Sequence, residues 1–231
     1  MEAWQKLVRV LTHEIMNSIA PISSLSSTIE LMINEYDTKS DDAPCLDKEA
    51  VAEIQQALQT INKRSTGLMN FVETYRNLTK IPKPNFSLLN MKELVENVVT
   101  LMKKEIEEKE IKLEYCIEPE TIELQADEQM ISQVLINLIN NSIHALEGRK
   151  NPMITIKGYY NRRGRPTIQI LDNGQGILKD VIDKIFIPFF TTKRSGSGIG
   201  LSLSRQILRL HGGTITAKSD PDKETVFSLT F

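Results

Sequence analysis

Near the start of the chain, His13-Glu14-Ile15-Met16-Asn17 puts an imidazole beside a carboxylate, with a carboxamide one helical turn later. A His-Glu pair opening a helix is half of a zinc-protease signature, but Asn17 stands where the second histidine would be needed. The pair also suits nucleophilic chemistry. A neutral imidazole can attack an electrophile while the adjacent carboxylate takes the proton from its other nitrogen. On a helical projection His13 falls almost opposite the Leu11-Ile15-Ile19 seam, Asn17 follows on the same side, and Glu14 borders the seam. An exposed histidine is either an ordinary surface residue or a reacting group, and the rest of the chain must decide between them.

Further groupings with ligand-binding character lie in the second half. Within 128–147, Gln133, Asn137, Asn140, Asn141 and His144 fall on one narrow helical stripe, with Ile131, Leu135, Leu138, Ser142 and Leu146 opposite. Asparagine is a mediocre helix former, so three in one helix need a reason. A carboxamide oxygen is a hard neutral donor suited to Mg2+, which makes the stripe a ligand face; otherwise it is a solvated one. Asp172-Asn173-Gly174-Gln175-Gly176 follows an apolar strand. Its carboxylate can accept from an exocyclic amine such as that of adenine, and its glycines let backbone approach a flat ring; the plainer reading is an Asn-Gly turn.

Gly196-Ser197-Gly198-Ile199-Gly200-Leu201 runs straight into a helix. Closely spaced glycines free backbone N–H groups to form an anion nest, and a helix N-terminus adds its positive end, as a phosphate cradle requires. The spacing is neither a Walker loop nor a Rossmann fingerprint. Between these two motifs lies the apolar stretch Ile185-Phe186-Ile187-Pro188-Phe189-Phe190-Thr191-Thr192-Lys193. It reads as a core plug, or as the anchor of a lid that brings Lys193 or Arg194 near phosphate.

These groups need elements to position them. In residues 1–80, Leu7, Leu11, Ile15, Ile19, Ile22, Leu25, Ile29 and Met32 recur at steps of three and four, as do Val51, Ile54, Leu58, Ile61, Ser65, Leu68, Val72 and Tyr75. Two long helices follow, joined by a hairpin loop over 37–47. One apolar stripe on each helix cannot enclose a core, so the expected solution is a homodimeric four-helix bundle. Ile81-Pro82-Lys83-Pro84 ends the second helix and opens a linker, 81–86. Beyond it, in 87–231, helices are predicted at 91–108, 128–147 and 199–210. Strands are predicted at 111–117, 121–125, 153–160 and 167–171, with two more closing the chain. The fold class is α+β: a helical hairpin, then an α/β sandwich with helices on one face of a mixed sheet.

Composition narrows the function. The chain has 231 residues and a formal net charge of −2, which gives no electrostatic reason to bind nucleic acid. The apolar runs are too short to span a bilayer, so no membrane contact is expected from this segment, and no signal peptide is visible. Cys45 and Cys116 lie far apart in no metal-ligand spacing and fit a reducing cytosol.

Taken in order, the motifs of the second half resemble the N, G1, F and G2 boxes of the ATP-binding domain of sensor histidine kinases, within the GHKL ATPase superfamily. The first half resembles the dimerisation and histidine-phosphotransfer domain of the same kinases, with His13 in the H box. The Asn17 variant is similar to their nitrogen-sensor branch. The resemblance covers essentially the whole chain and implies ATP and Mg2+ as ligands. Asn141 would hold the metal, with Asn137 its polar partner. Asp172 would bind the adenine amine beside Gly174 and Gly176. Thr192, Lys193, Gly196, Ser197, Gly198, Gly200 and Leu201 would form the lid and phosphate cradle. His144 stands where many relatives carry lysine or arginine, and Ser18 where many carry proline, with Pro21 following instead.

The activity so implied is autophosphorylation of His13 from ATP, with Glu14 as base, followed by transfer to an aspartate of a response-regulator receiver domain. Asn17 would orient water for the reverse removal of that phosphate. The segment would be cytoplasmic, either part of a membrane-anchored sensor or a short kinase regulated in trans. The competing readings are a GHKL ATPase of the gyrase, chaperone or mismatch-repair type, and a non-catalytic phosphotransfer scaffold.

Overall fold

The structure, a computed structural model, describes residues 2–37, 48–79, 81–193, 196 and 198–231, without the side chains of 2–14, 35–37, 70, 71 and 73–79. The chain divides into two compact units, Met1–Thr79 and Lys80–Phe231.

The first unit is a pair of long helices packed on each other, α1 (Glu2–Asp37) and α2 (Lys48–Thr79). The expected loop between them falls almost wholly outside the described residues. Along α2 the apolar steps split into two sets. Ile54, Ile61, Ser65 and Leu68 are half-buried, whereas Val51, Leu58 and Val72 remain 37%, 52% and 48% exposed. On α1, Ile15, Ile22, Leu25, Ile29 and Met32 are half-buried and Ile19 is exposed. Pro21 lies inside α1.

The second unit is built on a five-stranded sheet of β2 (Lys112–Ile117), β4 (Met153–Tyr160), β5 (Pro166–Asp172), β6 (Thr214–Asp220) and β7 (Glu224–Thr230), in the spatial order β2-β4-β5-β7-β6. Only β2 and β4 run parallel, so the sheet is mixed, as the sequence predicts. A two-stranded ribbon of β1 (Ser87–Asn90) and β3 (Glu123–Ala126) stands beside it. Burial alternates along most of each strand: Ile154 and Ile156, Ile168 and Ile170, and Phe227 and Leu229 are buried, while their neighbours, apart from the buried Thr167, are partly open or exposed. That buried face is covered by α3 (Met91–Glu108), α4 (Glu128–Ala145) and α6 (Gly200–Leu210). Each such side chain contributes about 1.5–3 kcal/mol on leaving water.

Capping fixes where α3 and α4 begin. Asn90 Oδ1 accepts from Lys92 and Glu93 N–H, and Asp127 Oδ1 accepts from Met130 N–H. Asp127 also organises its surroundings. Its Oδ2 accepts from Asn85 N–H at 2.8 Å, and its own N–H donates to His211 Nε2 at 3.0 Å. Phe86 meets the His211 ring edge-on at 5.1 Å between centroids, and Ile81 packs on the core. Residues 81–86 are irregular, and these contacts seat them on the second unit. Two short elements were not expected from the sequence. β1 is one, and a single turn, α5 (Lys179–Ile182), is the other.

Candidate functional site

One helix and one strand end bring the sequence motifs together. On α4 the apolar side, Ile131, Val134, Leu135, Leu138, Ile139 and Ile143, is buried in the core. The opposite stripe of Asn137, Asn140, Asn141 and His144 therefore lines a cavity of about 700 Å³. Its other walls come from Asp172 at the end of β5 and Gln175 and Gly176 after it, from Phe190 to Lys193, and from Gly196, Gly198, Gly200 and Leu201 around the start of α6. A hollow of similar size, about 740 Å³, lies near Lys109, Glu147 and Arg149. Several of its charged groups already answer others: Lys109 pairs with Glu147, and Arg149 holds Asn173 O and Asp222. The first cavity is the one walled by the asparagine stripe of α4 together with Asp172 and Lys193.

Asp172 is the fixed point of that cavity. It is 3% exposed, on the buried face of β5, opposite Thr225 of β7. Its Oδ2 accepts from Ser142 Oγ at 2.9 Å and its Oδ1 from Gly174 N–H at 3.0 Å. Burial pushes its carboxyl above the usual range, while the Ser142 and Gly174 bonds and the Lys193 charge oppose that shift. A carboxylate so held presents a fixed acceptor to a donor entering the cavity.

The asparagines divide their labour. Asn137 Nδ2 donates to Ser204 Oγ at 3.0 Å, and Ser204 donates on to Gly200 O at 2.9 Å. A Cβ at Gly200 would overlap Asn137 Oδ1, so any larger residue there would displace the Asn137 carboxamide. Asn137 thus ties α4 to the start of α6. Asn141 Oδ1 instead receives Lys193 Nζ at 3.0 Å. Burial lowers the Lys193 ammonium from its ordinary value, with Glu147 and Asp172 opposing. Nδ1 of His144 lies 2.6 Å from Asn140 O, and the ring lines the cavity.

The apolar stretch is both plug and strap. Ile185 and Phe186 are buried, with the Arg205 guanidinium 4.2 Å over the Phe186 ring. Phe189 has φ 64°, and its backbone meets that of Gly198, where φ is +68° and a Cβ would have no room. α6 then starts at Gly200, and its N-cap residue, Ile199, gives it no side-chain cap.

Of the expected ligand residues, Asn137, Asn141, His144, Asp172, Gly176, Thr192, Lys193, Gly196, Gly198, Gly200 and Leu201 all line the cavity. Gly174 lies just behind, against Asp172 and Ala145. Ser197 is outside the described residues, as are the side chains of His13 and Glu14; both lie within α1, as does Asn17, which is exposed. Sequence reasoning placed Ser142 among the apolar residues and missed its role. The signal was there: a lone hydroxyl on a buried stripe must find a partner. Thr225, Ile177 and Leu178 also line the cavity and carried no such signal.

Residues 126–231 match the family described as "Histidine kinase-, DNA gyrase B-, and HSP90-like ATPase". The catalytic domain of histidine kinase ThkA superposes with a TM-score of 0.56 at 32% identity, covering 64% of this chain and 95% of that one. The chain belongs to the sensor histidine kinases. Sensor histidine kinase ZraS of Salmonella typhi is 32% identical over 180 residues, 78% of this chain and 38% of that protein. This kinase chain thus spans less than half the length of the curated relatives it matches. The structure of ThkA in complex with response regulator protein TrrA matches 98% of this chain and 63% of that one, with a TM-score of 0.63 at 25% identity. Among the described residues, no helix is long and apolar enough to cross a membrane.

The buried carboxylate carries a measurable cost. A group raised in the folded state contributes stability below its unfolded value, and that contribution is lost as pH rises through the folded value. Asp172→Asn stays neutral throughout and can still pair with Ser142 and Gly174. It should melt above the wild type at pH 7, by a margin that narrows toward about pH 4. A variant that melts lower at pH 7 would show that the carboxylate is not strained by burial.

Proposed function

We propose that the chain is the kinase portion of a two-component sensor, using ATP to phosphorylate His13 and passing the phosphoryl group to an aspartate of a response-regulator receiver domain. The observation that carries this reading is the cavity itself. It brings together a buried carboxylate, carboxamides, a lysine and the start of a helix whose N-cap gives no side-chain bond.

In this reading Asp172 accepts from the adenine amine, and Gly174 and Gly176 shape the wall beside it. The phosphates lie toward Thr192, Lys193, Gly196, Ser197, Gly198, Gly200 and Leu201, with His144 at the rim. The chemistry of the site also fits a divalent cation, because Asn141 already offers its carbonyl oxygen to an ammonium. Mg2+, when bound, would neutralise phosphate charge, and Asn141 would hold it. No group of three or more His, Cys, Asp or Glu converges among the described residues, so its remaining ligands would be phosphate and water.

The reacting group is on the other unit. A ring nitrogen of His13 attacks the γ-phosphorus, the bond to the β–γ bridging oxygen breaks, and ADP leaves. Glu14 takes the proton from the second ring nitrogen. Catalysis then rests on positioning and charge stabilisation. The unit division falls between Thr79 and Lys80, and 81–86 are seated on the nucleotide-binding unit. We therefore place the hinge at the end of α2, on the N-terminal side of the expected linker, with the unit motion gating the reaction. Asn17, one turn after His13 and exposed, would orient water against the phosphorylated aspartate. The segment would belong to the cytoplasmic side of a sensor, where its regulator resides.

Incubation with γ-labelled ATP and Mg2+ should give acid-labile label on the wild type and none on His13→Gln. Label retained by that variant would overturn the assignment. ATP turnover without label would instead favour the clamp-type ATPase, and neither label nor turnover the scaffold. In the same system Asn17→Ala should keep the kinase step and lose dephosphorylation of the regulator.

The exposed Val51, Leu58 and Val72 are apolar residues on a heptad seam, as two hairpins forming a four-helix bundle require. Sedimentation equilibrium should find twice the 26.2 kDa chain mass, and Leu58→Glu should shift it toward the single-chain value. A wild-type monomer at micromolar concentration would rule the homodimer out.

A further inference from the structure

Lys193 makes a specific contact across the cavity wall. Its backbone is pinned by a local turn: Thr191 Oγ1 accepts the Lys193 N–H at 3.0 Å, and Lys193 O accepts from Gly196 N–H at 3.3 Å. From that turn the side chain crosses the cavity and ends with Nζ 3.0 Å from Asn141 Oδ1. An ammonium has donors and no acceptor, so this contact fixes which way the carboxamide points. The oxygen is thereby the atom offered to a positive charge, as a hard cation would require.

The same oxygen cannot comfortably serve two cations. Mg2+ sits about 2.1 Å from a ligand oxygen. With Nζ on that oxygen too, the two positive centres would lie within about 5 Å of each other, inside a partly buried site where their repulsion is weakly screened. The nearest balancing charges are those of Asp172 and Glu147, which act on the ammonium from its surroundings. One cation must leave when the other arrives, and only the lysine is tethered to the strap anchored by Ile185 and Phe186.

We propose that Lys193 is a resident cation that presets Asn141 for metal and is exchanged for Mg2+ when the metal–nucleotide complex enters, so that the strap is released by the metal and not by nucleotide alone. This rests on Asn141 being the metal ligand. Lys193 is thereby a positioning residue that couples strap rearrangement to the presence of Mg2+, and ADP alone leaves it on Asn141.

Calorimetric titration of the full chain with ADP, in EDTA and in excess Mg2+, separates the cases. The readout is the factor by which Mg2+ strengthens ADP binding, not the affinity itself. Removing the competing charge in Lys193→Met should enlarge that factor about fivefold or more, the range of ordinary site-to-site coupling. Lys193→Gln, which keeps a donor but loses the charge, should enlarge it likewise and carries the test if the methionine variant folds poorly. Equal changes in ADP affinity with and without Mg2+ would mean that the lysine acts on phosphate alone, and would overturn the exchange. If Mg2+ had no effect on the wild type, or its effect survived in Asn141→Ala, the metal assignment would fall first and the exchange with it.

Discussion

A carboxylate buried to 3% exposure has to be satisfied from within the protein, and the groups that satisfy Asp172 are the ones that shape its site. Ser142 reaches it from the buried side of α4, and Gly174 N–H reaches it from the turn after β5. The first bond locks helix to strand, and the second fixes the turn that follows the strand. With α4 so fixed in rotation, Asn137, Asn140, Asn141 and His144 have to face the opening. The position of α6 follows in turn, because Asn137 reaches Ser204 and lies under Gly200. A single buried acid is thus propagated into the placement of three elements.

This arrangement favours recognition over stability. Burial destabilises the charged form of Asp172, and two hydrogen bonds and the Lys193 ammonium only oppose that effect. The positive φ of Phe189 and the tight Phe189–Gly198 contact are of the same kind, since they hold the strap against the start of α6 in a conformation most residues avoid. Such costs persist where a site must keep a shape that its own packing would not choose. The core beneath them, with Ile154, Ile156, Ile168 and Ile170 fully buried, supplies the stability they draw on.

The elements with strong periodicity were legible in the sequence. The stripe on α4 gave both the rotation of the helix and the residues of the cavity wall, because one apolar face leaves no choice about the other. β1 was not legible: Ser87 to Asn90 is short, two of its residues are exposed, and its pairing with β3 is set by tertiary contact. Its last residue doubles as the cap of α3. Ser142 was hidden by its company on an apolar stripe. The partnership of Lys193 with Asn141 was out of reach of sequence altogether, since it joins a helix to a loop across 52 positions through the tip of a flexible side chain. His13 and Glu14 were named from the sequence, and their side chains lie outside the described residues, so their roles rest on the proposed chemistry.

The central claim is that Asp172 reads an exocyclic amine at the floor of the cavity. Comparing ADP with inosine diphosphate, which carries an oxygen in place of that amine, tests it directly. A fixed acceptor meeting an oxygen loses a hydrogen bond and gains a repulsion, so ADP should bind at least about tenfold more tightly in a calorimetric titration. Equal affinity for the two nucleotides would contradict the account.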